Sequence, residues 1–241
     1  MHVLAVASQK GGSGKTTIAG HLAVQAERTG FGPVALIDTD PQGSLADWWN
    51  ARADDTPYFA RASVSRLAED LAQMRSVGIN LLIIDTPPAI TTTIGHVIQV
   101  ADLVLVPTRP SPHDLRAVGA TVELVERLGK QLVFVINGAT PRARITSEAA
   151  IALSQHGTLA PAILHQRTDF AASMIDGRTV MELPNVERST REVMDMWTYL
   201  SHRLERAVPA PAAVLDDEDR MPASAPVPIR DAVHPALALL G

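Results

Sequence analysis

Short aliphatic runs alternate with longer amphipathic segments along most of this chain, and few folds accommodate such an alternation. The run from Leu81 to Ile84 is apolar at every position, as a strand must be when both faces of its sheet are covered. Strands that alternate with helices pack as a parallel sheet between two helical layers. The sequence therefore predicts an α/β fold, with a mostly parallel, doubly wound sheet and helices on both faces.

The same pattern gives the approximate position of each element. The predicted strands are residues 2–8, 34–38, 81–85, 103–107, 132–137 and about 162–165. The predicted helices are residues 15–28, 42–50, 65–76, 91–100, 112–128, 146–155 and 187–206. Residues 51–61 are predicted to form a loop, and a strand within them is left open.

Composition restricts the chemistry of the core and of any site. Aromatic residues make up 4% of the chain and hydrophobic residues 46%, so the core is expected to be aliphatic. The absence of cysteine excludes disulfides, thiolate metal sites and iron–sulfur clusters. The sequence shows neither a signal peptide nor an apolar run of the roughly 18 residues that cross a bilayer. We therefore expect a cytoplasmic protein with no membrane partner.

The character of the chain changes near residue 207. Residues 207–241 hold six of the 17 prolines and an acidic run at residues 216–219. Such a composition is typical of segments that cannot bury enough apolar surface to fold. We predict one folded domain, residues 1–206, followed by a tail, residues 207–241, that is disordered or loosely docked.

A glycine-rich loop with two lysines, QKGGSGKTT at residues 9–17, follows the first predicted strand and opens the first predicted helix. Glycines let backbone N–H groups point inward around phosphate oxygens, and the start of the helix adds its positive dipole end. This pattern indicates a nucleotide phosphate loop. Lys15 is expected to bridge the β- and γ-phosphates, and the Thr16 hydroxyl to ligate Mg²⁺. The nucleotide-binding residues predicted in the loop are Gly11, Gly12, Ser13, Gly14, Lys15, Thr16 and Thr17.

Two predicted strands end in aspartate, where a parallel sheet presents its carboxyl edge. Asp85 ends a continuous apolar strand and is predicted to hold Mg²⁺ through a bound water. Asp38 ends another strand and begins the sequence DTDPQGS. A carboxylate near the γ-phosphate can orient the attacking water. For Asp40, the alternative is a cap on a helix that starts at Pro41, and the two roles are compatible.

The early lysine of the loop, Lys10, occurs together with DTDPQG at residues 38–43 and TPP at residues 86–88. This combination resembles the deviant Walker A ATPases, which include the ParA and MinD proteins and the nitrogenase iron protein. In that group the early lysine reaches the nucleotide of the partner subunit, so the resemblance implies a homodimer with ATP sandwiched at its interface. It also implies that Asp40 positions or activates the attacking water and that Asp38 supports the metal and water network.

The resemblance assigns further positions and implies ATP and Mg²⁺ as cofactors. Asn137, at the end of a predicted strand, occurs where the family's asparagine contacts adenine, although an asparagine there also caps turns. Residues 108–111 resemble a family loop that senses nucleotide or contacts the dimer partner. The candidate catalytic residues are Lys10, Lys15, Asp38 and Asp40, and the candidate metal ligands are Thr16, Asp38 and Asp85.

The branches of this group differ in what the ATP-bound dimer binds. Nitrogenase-type electron transfer needs bridging cysteines, which the sequence lacks. MinD-like membrane targeting needs a basic amphipathic helix at the C-terminus, whereas this C-terminal segment is acidic. ParA-type binding to DNA without sequence preference remains, and we expect a small family member with no helix-turn-helix domain before the first strand. The candidate DNA-contacting residues are Arg167, Arg178, Arg188 and Arg191.

The function that the resemblance implies is that of a segregating or positioning ATPase. ATP would close the dimer, the dimer would bind the DNA of the nucleoid, and a ParB-type adaptor would stimulate slow hydrolysis. The cargo would be a plasmid, a chromosomal region or a protein assembly. Two alternatives stay open: a MinD-like or other ATP switch directed to proteins, and, with less support, a metabolic P-loop ligase or kinase. The last of these leaves Lys10 without a role.

Overall fold

A computed structural model of the protein describes residues 1–88 and 92–207. Within these residues one sheet contains seven strands, and every neighbouring pair is parallel. The strands are β1 (His2–Val6), β2 (Val34–Asp38), β3 (Tyr58–Phe59), β4 (Leu81–Asp85), β5 (Leu103–Thr108), β6 (Leu132–Ala139) and β7 (Thr158–His165). Their order is β3-β2-β4-β1-β5-β6-β7. The predicted parallel α/β architecture is confirmed.

Helices cover both faces of this sheet. The described helices are α1 (Lys15–Arg28), α2 (Ser44–Ala51), α3 (Leu67–Ser76), α4 (Thr92–Val100), α5 (Pro112–Arg127), α6 (Arg144–Ser154), α7 (Thr168–Met174) and α8 (Glu187–Arg206). Helices α1, α2 and α8 pack on one face through residues such as Leu22 and Leu200. Helices α3 to α6 pack on the other through residues such as Leu71 and Val125. The sheet is doubly wound, as predicted.

The alternation of side chains along a strand explains why continuous apolar runs form this sheet. In β4, Leu81 and Ile83 belong to the core on the α1 and α8 side, whereas Leu82 and Ile84 belong to the opposite core. All four are fully buried. Because successive side chains point to opposite faces, a central strand between two helical layers needs an apolar residue at every position.

Some boundaries differ from the sequence prediction. β3 is a strand inside the segment predicted as a loop, and it pairs with β2. β7 begins earlier than predicted because an edge strand tolerates Pro161. α2 begins at Ser44 because Gly43 before it adopts a φ of 67°, which a helix cannot continue. α7 was not predicted, since its 7 residues are too few to show a helical period.

Two predictions concern residues that the structure does not describe. They are the start of a helix at residue 91 and the tail from residue 208 onward. Among the described elements, α8 ends at Arg206. In residues 1–88 and 92–207, no helix has the length and apolarity needed to cross a bilayer.

Three neighbouring strands at the centre of the sheet end together at its carboxyl edge. β4 lies between β2 and β1, with Asp85 in register with Asp38 on one side and with Val6 on the other. The glycine loop follows β1 directly, and α1 starts from it. Parallel α/β sheets bind their ligands at this edge. The fold therefore brings sequence-distant polar residues to the place where a ligand is expected.

Candidate functional site

The loop between β1 and α1 contains glycines in conformations that other residues rarely adopt. Gly12 has a φ of 72° and Gly14, which immediately precedes α1, a φ of 93°. A Cβ on Gly14 would lie 2.2 Å from Nδ2 of Asn137. The same nitrogen donates to the carbonyl oxygen of Ser13 at 2.7 Å. Asn137, in β6, therefore fits against the loop because Gly14 has no side chain.

The amino end of α1 is arranged to receive an anion. No side chain caps it, and its first turn contains no acidic residue, so its first backbone N–H groups are available. Lys15 begins the helix and is 7% exposed. Its Nζ lies 3.3 Å from the carbonyl oxygen of Ser8 and 3.5 Å from that of Lys10. Burial lowers the pKa of Lys15. A buried amino group beside uncapped N–H groups forms a site for a phosphate chain.

Asp85 and Thr16 form the centre of the site. The Thr16 hydroxyl donates to Oδ2 of Asp85 at 2.6 Å, and Asp85 is almost fully buried. Burial raises the pKa of Asp85 to about 7, although the bond from Thr16 acts to lower it. In the described part of the chain, Oδ1 of Asp85 and the buried Oγ of Ser13 have no hydrogen-bond partner. Because buried polar atoms are normally paired and these two lie at the glycine loop and the end of β4, they are available to groups from outside the chain.

The oxygen atoms at this point suit a small, hard cation. A hydroxyl, from Thr16, and carboxylates, from Asp38 and Asp85, are ligand types that Mg²⁺ accepts. Mg²⁺ usually keeps several waters and does not require a cage of protein ligands. The described residues hold no cluster of three or more histidine or acidic side chains that could bind a metal by themselves. The unpaired Oδ1 of Asp85 can accept a hydrogen bond from a metal-bound water. The residues present fit a magnesium–nucleotide complex.

Asp38 holds the start of α2. Its Oδ2 accepts hydrogen bonds from the backbone N–H groups of Leu45 at 2.9 Å and Ala46 at 3.2 Å. Its Oδ1 accepts from the N–H of Asp40 at 2.9 Å. Asp40 in turn accepts from the N–H of Gln42 at 3.0 Å, within its own turn. The cap of α2 is therefore made by Asp38 and not by Asp40, because the helix begins later than predicted.

A cavity of about 190 Å³ adjoins the glycine loop. Its walls come from α1, α7, α8, the ends of β6 and β7, and the loop after β5. Ile18 and Phe170 contribute apolar surface, and Asn137 and Gln166 contribute polar groups. Arg109, from the loop after β5, also lines the cavity. Polar and apolar groups contribute similar shares of the walls, so the cavity can contact both the ring and the hydrogen-bonding groups of a small organic molecule.

The four candidate DNA-contacting arginines lie in two different environments. Arg167 lines the cavity, and its NH1 donates to Oε1 of Glu192 at 2.7 Å. Arg178 is exposed and pairs with a neighbouring carboxylate at 2.7 Å. Arg188 and Arg191 are exposed one turn apart at the start of α8, and neither has a carboxylate partner within the described chain. Three of the four therefore lie on the surface.

Residues at the two ends of the loop also differ in their surroundings. Lys10 is exposed, whereas Thr17 is half-buried and lines the cavity. Sequence reasoning missed His21, one turn beyond Thr17, which is 1% exposed and lines the cavity as well. Burial lowers the pKa of His21 to about 4. The sequence signal for this residue was a lone imidazole in an otherwise apolar stretch of helix.

Comparison with known proteins agrees with this site. A family model, described as the CobQ/CobB/MinD/ParA nucleotide binding domain, matches residues 4–180. The chain is 33% identical over 193 residues to Protein ParA of Rhizobium radiobacter, which covers 78% of this chain and 80% of the relative. It is 28% identical over 198 residues to Maintenance of carboxysome distribution protein A of Halothiobacillus neapolitanus, which covers 78% and 91%. The ATP complex of McdA from Cyanothece superimposes with a TM-score of 0.65 at 20% identity, covering 83% of this chain and 96% of that one.

The family match spans the glycine loop and the aspartates that end β2 and β4. The similarity to Protein ParA extends over most of both chains at an identity that indicates common descent. The structural similarity independently supports the same fold. The chain therefore belongs to the CobQ/CobB/MinD/ParA nucleotide-binding family, and within it is a ParA-type ATPase.

Proposed function

We propose that this protein is a Mg²⁺-dependent positioning ATPase that forms a homodimer around ATP and binds DNA without sequence preference in that state. The observation that carries the proposal is the convergence of Lys15, Thr16 and Asp85 beside a glycine loop with uncapped N–H groups. This proposal has four parts, which concern the site residues, the metal, the dimer and the DNA. Each part has its own support.

The phosphates and the metal would be bound at the carboxyl edge of the sheet. Lys15 and the N–H groups of residues 11–17 would bind the phosphate chain. Thr16 would ligate Mg²⁺ directly and Asp85 through water, with Asp38 in support. When bound, Mg²⁺ supplies positive charge that offsets the charge developing on the transferred phosphoryl group. Support comes from the 2.6 Å contact between Thr16 and Asp85 and from the unpaired Oδ1 of Asp85.

Two residues would act on hydrolysis and dimer formation. Asp40 would orient the attacking water, because its carboxylate lies in the loop that follows β2 at the carboxyl edge of the sheet. Lys10 would reach the nucleotide of the second subunit. Its exposure fits that role, since a lysine that acts across an interface must be accessible before the dimer forms.

The nucleoside would occupy the cavity beside the loop. Asn137 donates through Nδ2 to Ser13, which leaves its Oδ1 to accept a hydrogen bond from the amino group of adenine. Ile18 and Phe170 would contact the faces or edges of the ring, as apolar walls do in most small-molecule sites.

The surface arginines would contact DNA phosphates. Arg188 and Arg191 lie on either side of Thr190, whose hydroxyl donates to the carbonyl oxygen of Val180 at 3.1 Å. Val180 is two residues from Arg178, so these three arginines belong to segments that touch. Two such sets on one face of a homodimer would neutralise several phosphates and bind any sequence.

The cargo and its adaptor are proposed from the relatives. One relative is named for carboxysome distribution and another is a ParA protein. We propose a ParB-type adaptor that stimulates slow hydrolysis, and a plasmid, chromosomal region or protein compartment as cargo. The ATPase would then be cytoplasmic and associated with the nucleoid.

Retention on random-sequence duplex DNA tests this function. Binding of the full chain is measured with ATP, with ADP and without nucleotide, at two salt concentrations, with an Asp40→Ala variant to slow hydrolysis. We expect retention with ATP alone, and weaker retention at higher salt because each phosphate contact releases counterions. Dimer formation is followed in parallel by sedimentation.

A matched pair of triple variants tests the arginines. The first variant, Arg178→Ala/Arg188→Ala/Arg191→Ala, should no longer be retained on DNA. The control, Arg66→Ala/Arg116→Ala/Arg127→Ala, removes three exposed arginines from the other helical layer and should be retained like the wild type. If the DNA affinity is unchanged in the first triple variant and in Arg167→Ala/Arg178→Ala, the proposal that these arginines contact DNA is wrong.

The same measurements separate the alternatives. Nucleotide-dependent dimers that never bind DNA would indicate a switch directed to proteins. Turnover of a small metabolite with ATP would indicate a ligase or kinase.

A further inference from the structure

The segment of residues 177–182, between α7 and α8, is bound by two helices that both start at the nucleotide site. It contains Arg178 and ends in a short 3-10 helix, Val180–Glu182. Helix α1 starts at Lys15 of the glycine loop, and α2 starts beneath the cap provided by Asp38. Each helix contacts the segment through side chains that have no proposed part in hydrolysis, although one of them, His21, also lines the cavity.

Arg52, at the carboxyl end of α2, makes the first contact. It is 5% exposed, and its NH1 donates to the carbonyl oxygen of Gly177 at 2.8 Å. Its two terminal nitrogens also donate to Glu182, at 2.7 and 3.0 Å. Burial acts to raise the pKa of Glu182, but hydrogen bonds from Arg52 and Thr179 outweigh it and the pKa is lowered. A buried, bidentate guanidinium–carboxylate pair fixes both distance and orientation.

Trp48, one turn earlier in α2, makes the second contact. Its Nε1 donates to the carbonyl oxygen of Arg178 at 3.0 Å. Beside it the backbones meet: Gly177 has a φ of 76°, and a Cβ there would lie 2.2 Å from the backbone nitrogen of Arg52. The ring of Trp48 also lies 3.3 Å from the Cβ position of Gly20, so α1 and α2 pack directly against each other.

His21 makes the third contact, from α1. Its Nε2 accepts a hydrogen bond from the N–H of Val180 at 3.1 Å, so Nδ1 carries the proton that is donated to the carbonyl oxygen of Thr17 at 2.7 Å. The low pKa that burial imposes on this ring keeps it neutral and able to accept. One imidazole therefore connects the end of the glycine loop to the segment.

We infer that residues 177–182 are a nucleotide-responsive output segment, and that Arg52, Trp48 and His21 are positioning residues that couple its conformation to the two nucleotide loops. A shift of residues 38–43 moves α2, and a shift of the glycine loop moves α1. Either shift displaces the segment, because the contacts are buried and directional. The bond from Thr190 to Val180 passes the displacement to the start of α8. The surface arginines are then rearranged together.

This inference rests on the proposed function for its ligand, ATP, but it requires no DNA. Hydrogen exchange measured on residues 177–182 tests it in the full chain, without nucleotide, with ADP and with a non-hydrolysable ATP analogue. The N–H groups of Thr179 and Val180 are direct reporters, because they are bonded to Glu182 and His21. In the wild type we expect their exchange to differ between the ADP and ATP-analogue states by about fivefold or more, which is the loss of one hydrogen bond.

Mild substitutions then separate coupling from stability. Trp48→Phe keeps an aromatic ring but removes the bond to Arg178, and Arg52→Lys keeps the charge but removes the bidentate pair. Both should abolish the nucleotide-dependent difference while the affinity for the ATP analogue stays within about twofold of wild type. The matched control is Trp197→Phe, which removes an indole bond to Thr29 at the far end of α1 and should preserve the difference.

Three outcomes would overturn the inference. The first is that hydrogen exchange in residues 177–182 of the wild type is the same in every nucleotide state, although the protein binds the nucleotides. The second is an unchanged nucleotide dependence in both Trp48→Phe and Arg52→Lys. The third is faster exchange by the same factor in every nucleotide state, which indicates a purely structural role. A protein that shows the coupling but never binds DNA would contradict the proposed function and leave this inference intact.

Discussion

Nδ2 of Asn137 lies 2.2 Å from the point that a Cβ on Gly14 would occupy. The end of β6 and the glycine loop therefore interlock with no room for a methyl group. The same nitrogen is bonded to the carbonyl oxygen of Ser13, so the contact also holds the loop in shape. The arrangement of the backbone N–H groups in the glycine loop thus depends on a residue more than one hundred positions away in the sequence.

Gly14→Ala should weaken nucleotide binding by about 100-fold or more, because the methyl group must displace Asn137 or the loop. Titration with a fluorescent ATP analogue measures the effect. Gly78→Ala is the matched control: Gly78 has a φ of 87°, but nothing lies within 4 Å of its Cβ position. That variant should lose about 1 kcal/mol of stability from backbone strain and keep its nucleotide affinity. Equal affinities in the two variants would contradict the interlock.

Thr16→Val should lower ATP hydrolysis by about 100-fold at moderate Mg²⁺, because it removes the proposed hydroxyl ligand and the donor to Asp85 while keeping the shape of the side chain. Thr16→Ser retains the hydroxyl and should stay within about tenfold of wild type. Hydrolysis rates over a range of Mg²⁺ concentrations check this. A wild-type Mg²⁺ dependence in Thr16→Val would mean that the hydroxyl is not a metal ligand.

His21 should make the folded chain less stable in mild acid. Its pKa falls from an ordinary value of 6.5 to about 4 on folding, so between these values the unfolded chain binds a proton that the folded chain does not. Stability from this residue is present above about pH 6.5 and is lost as pH falls toward about 4, by up to about 3 kcal/mol. Urea unfolding at pH 7 and pH 5 should show a smaller loss in His21→Gln than in wild type. The exposed His202→Gln variant controls for the loss of one histidine, and a loss in His21→Gln equal to wild type would contradict the prediction.

Glu192→Gln should weaken nucleotide binding through the cavity wall. Oε1 of Glu192 accepts from Arg167 and lies 2.7 Å from Nδ1 of His165, and Oε2 accepts from the backbone N–H of His165. Loss of the charge should weaken the bonds that hold His165 and Arg167, between β7 and α7, against the cavity. We expect the Kd for an ATP analogue to rise about tenfold. Asp195→Asn, an exposed change on the same helix, should leave the Kd unchanged. An unaltered Kd in Glu192→Gln would show that this corner does not contribute to binding.

The fold could be predicted wherever a local pattern is sufficient. The apolar run that forms β4 and the glycine loop that opens α1 are contiguous in the sequence, and both were located correctly. β3 and α7 were not, because elements this short are determined by their tertiary partners: β3 by its pairing with β2, and α7 by packing of Phe170 on the core. Propensity over so few residues carries little information.

The site divides in the same way. Lys15, Thr16 and Asp85 belong to recognisable local motifs, and the structure brings them together at one edge of the sheet. Arg52 and His21 belong to no motif, because the partners that give them a role, in residues 177–182, lie more than one hundred residues away and are reached only after the sheet has formed. Buried polar residues of this kind can be recognised only from their hydrogen bonds in the structure.

Asp38 caps α2 through its carboxylate and also lies in register with Asp85, at the carboxyl edge of the sheet. Replacing it would remove the cap of a helix whose other end carries Arg52, so a loss of activity would have two competing explanations. The carboxylate of Asp40 is bonded to Gln42 in its own turn, and its removal leaves α2 capped. A variant intended to arrest the ATP-bound state is therefore better made at Asp40, where the arrested form keeps the architecture of the working one.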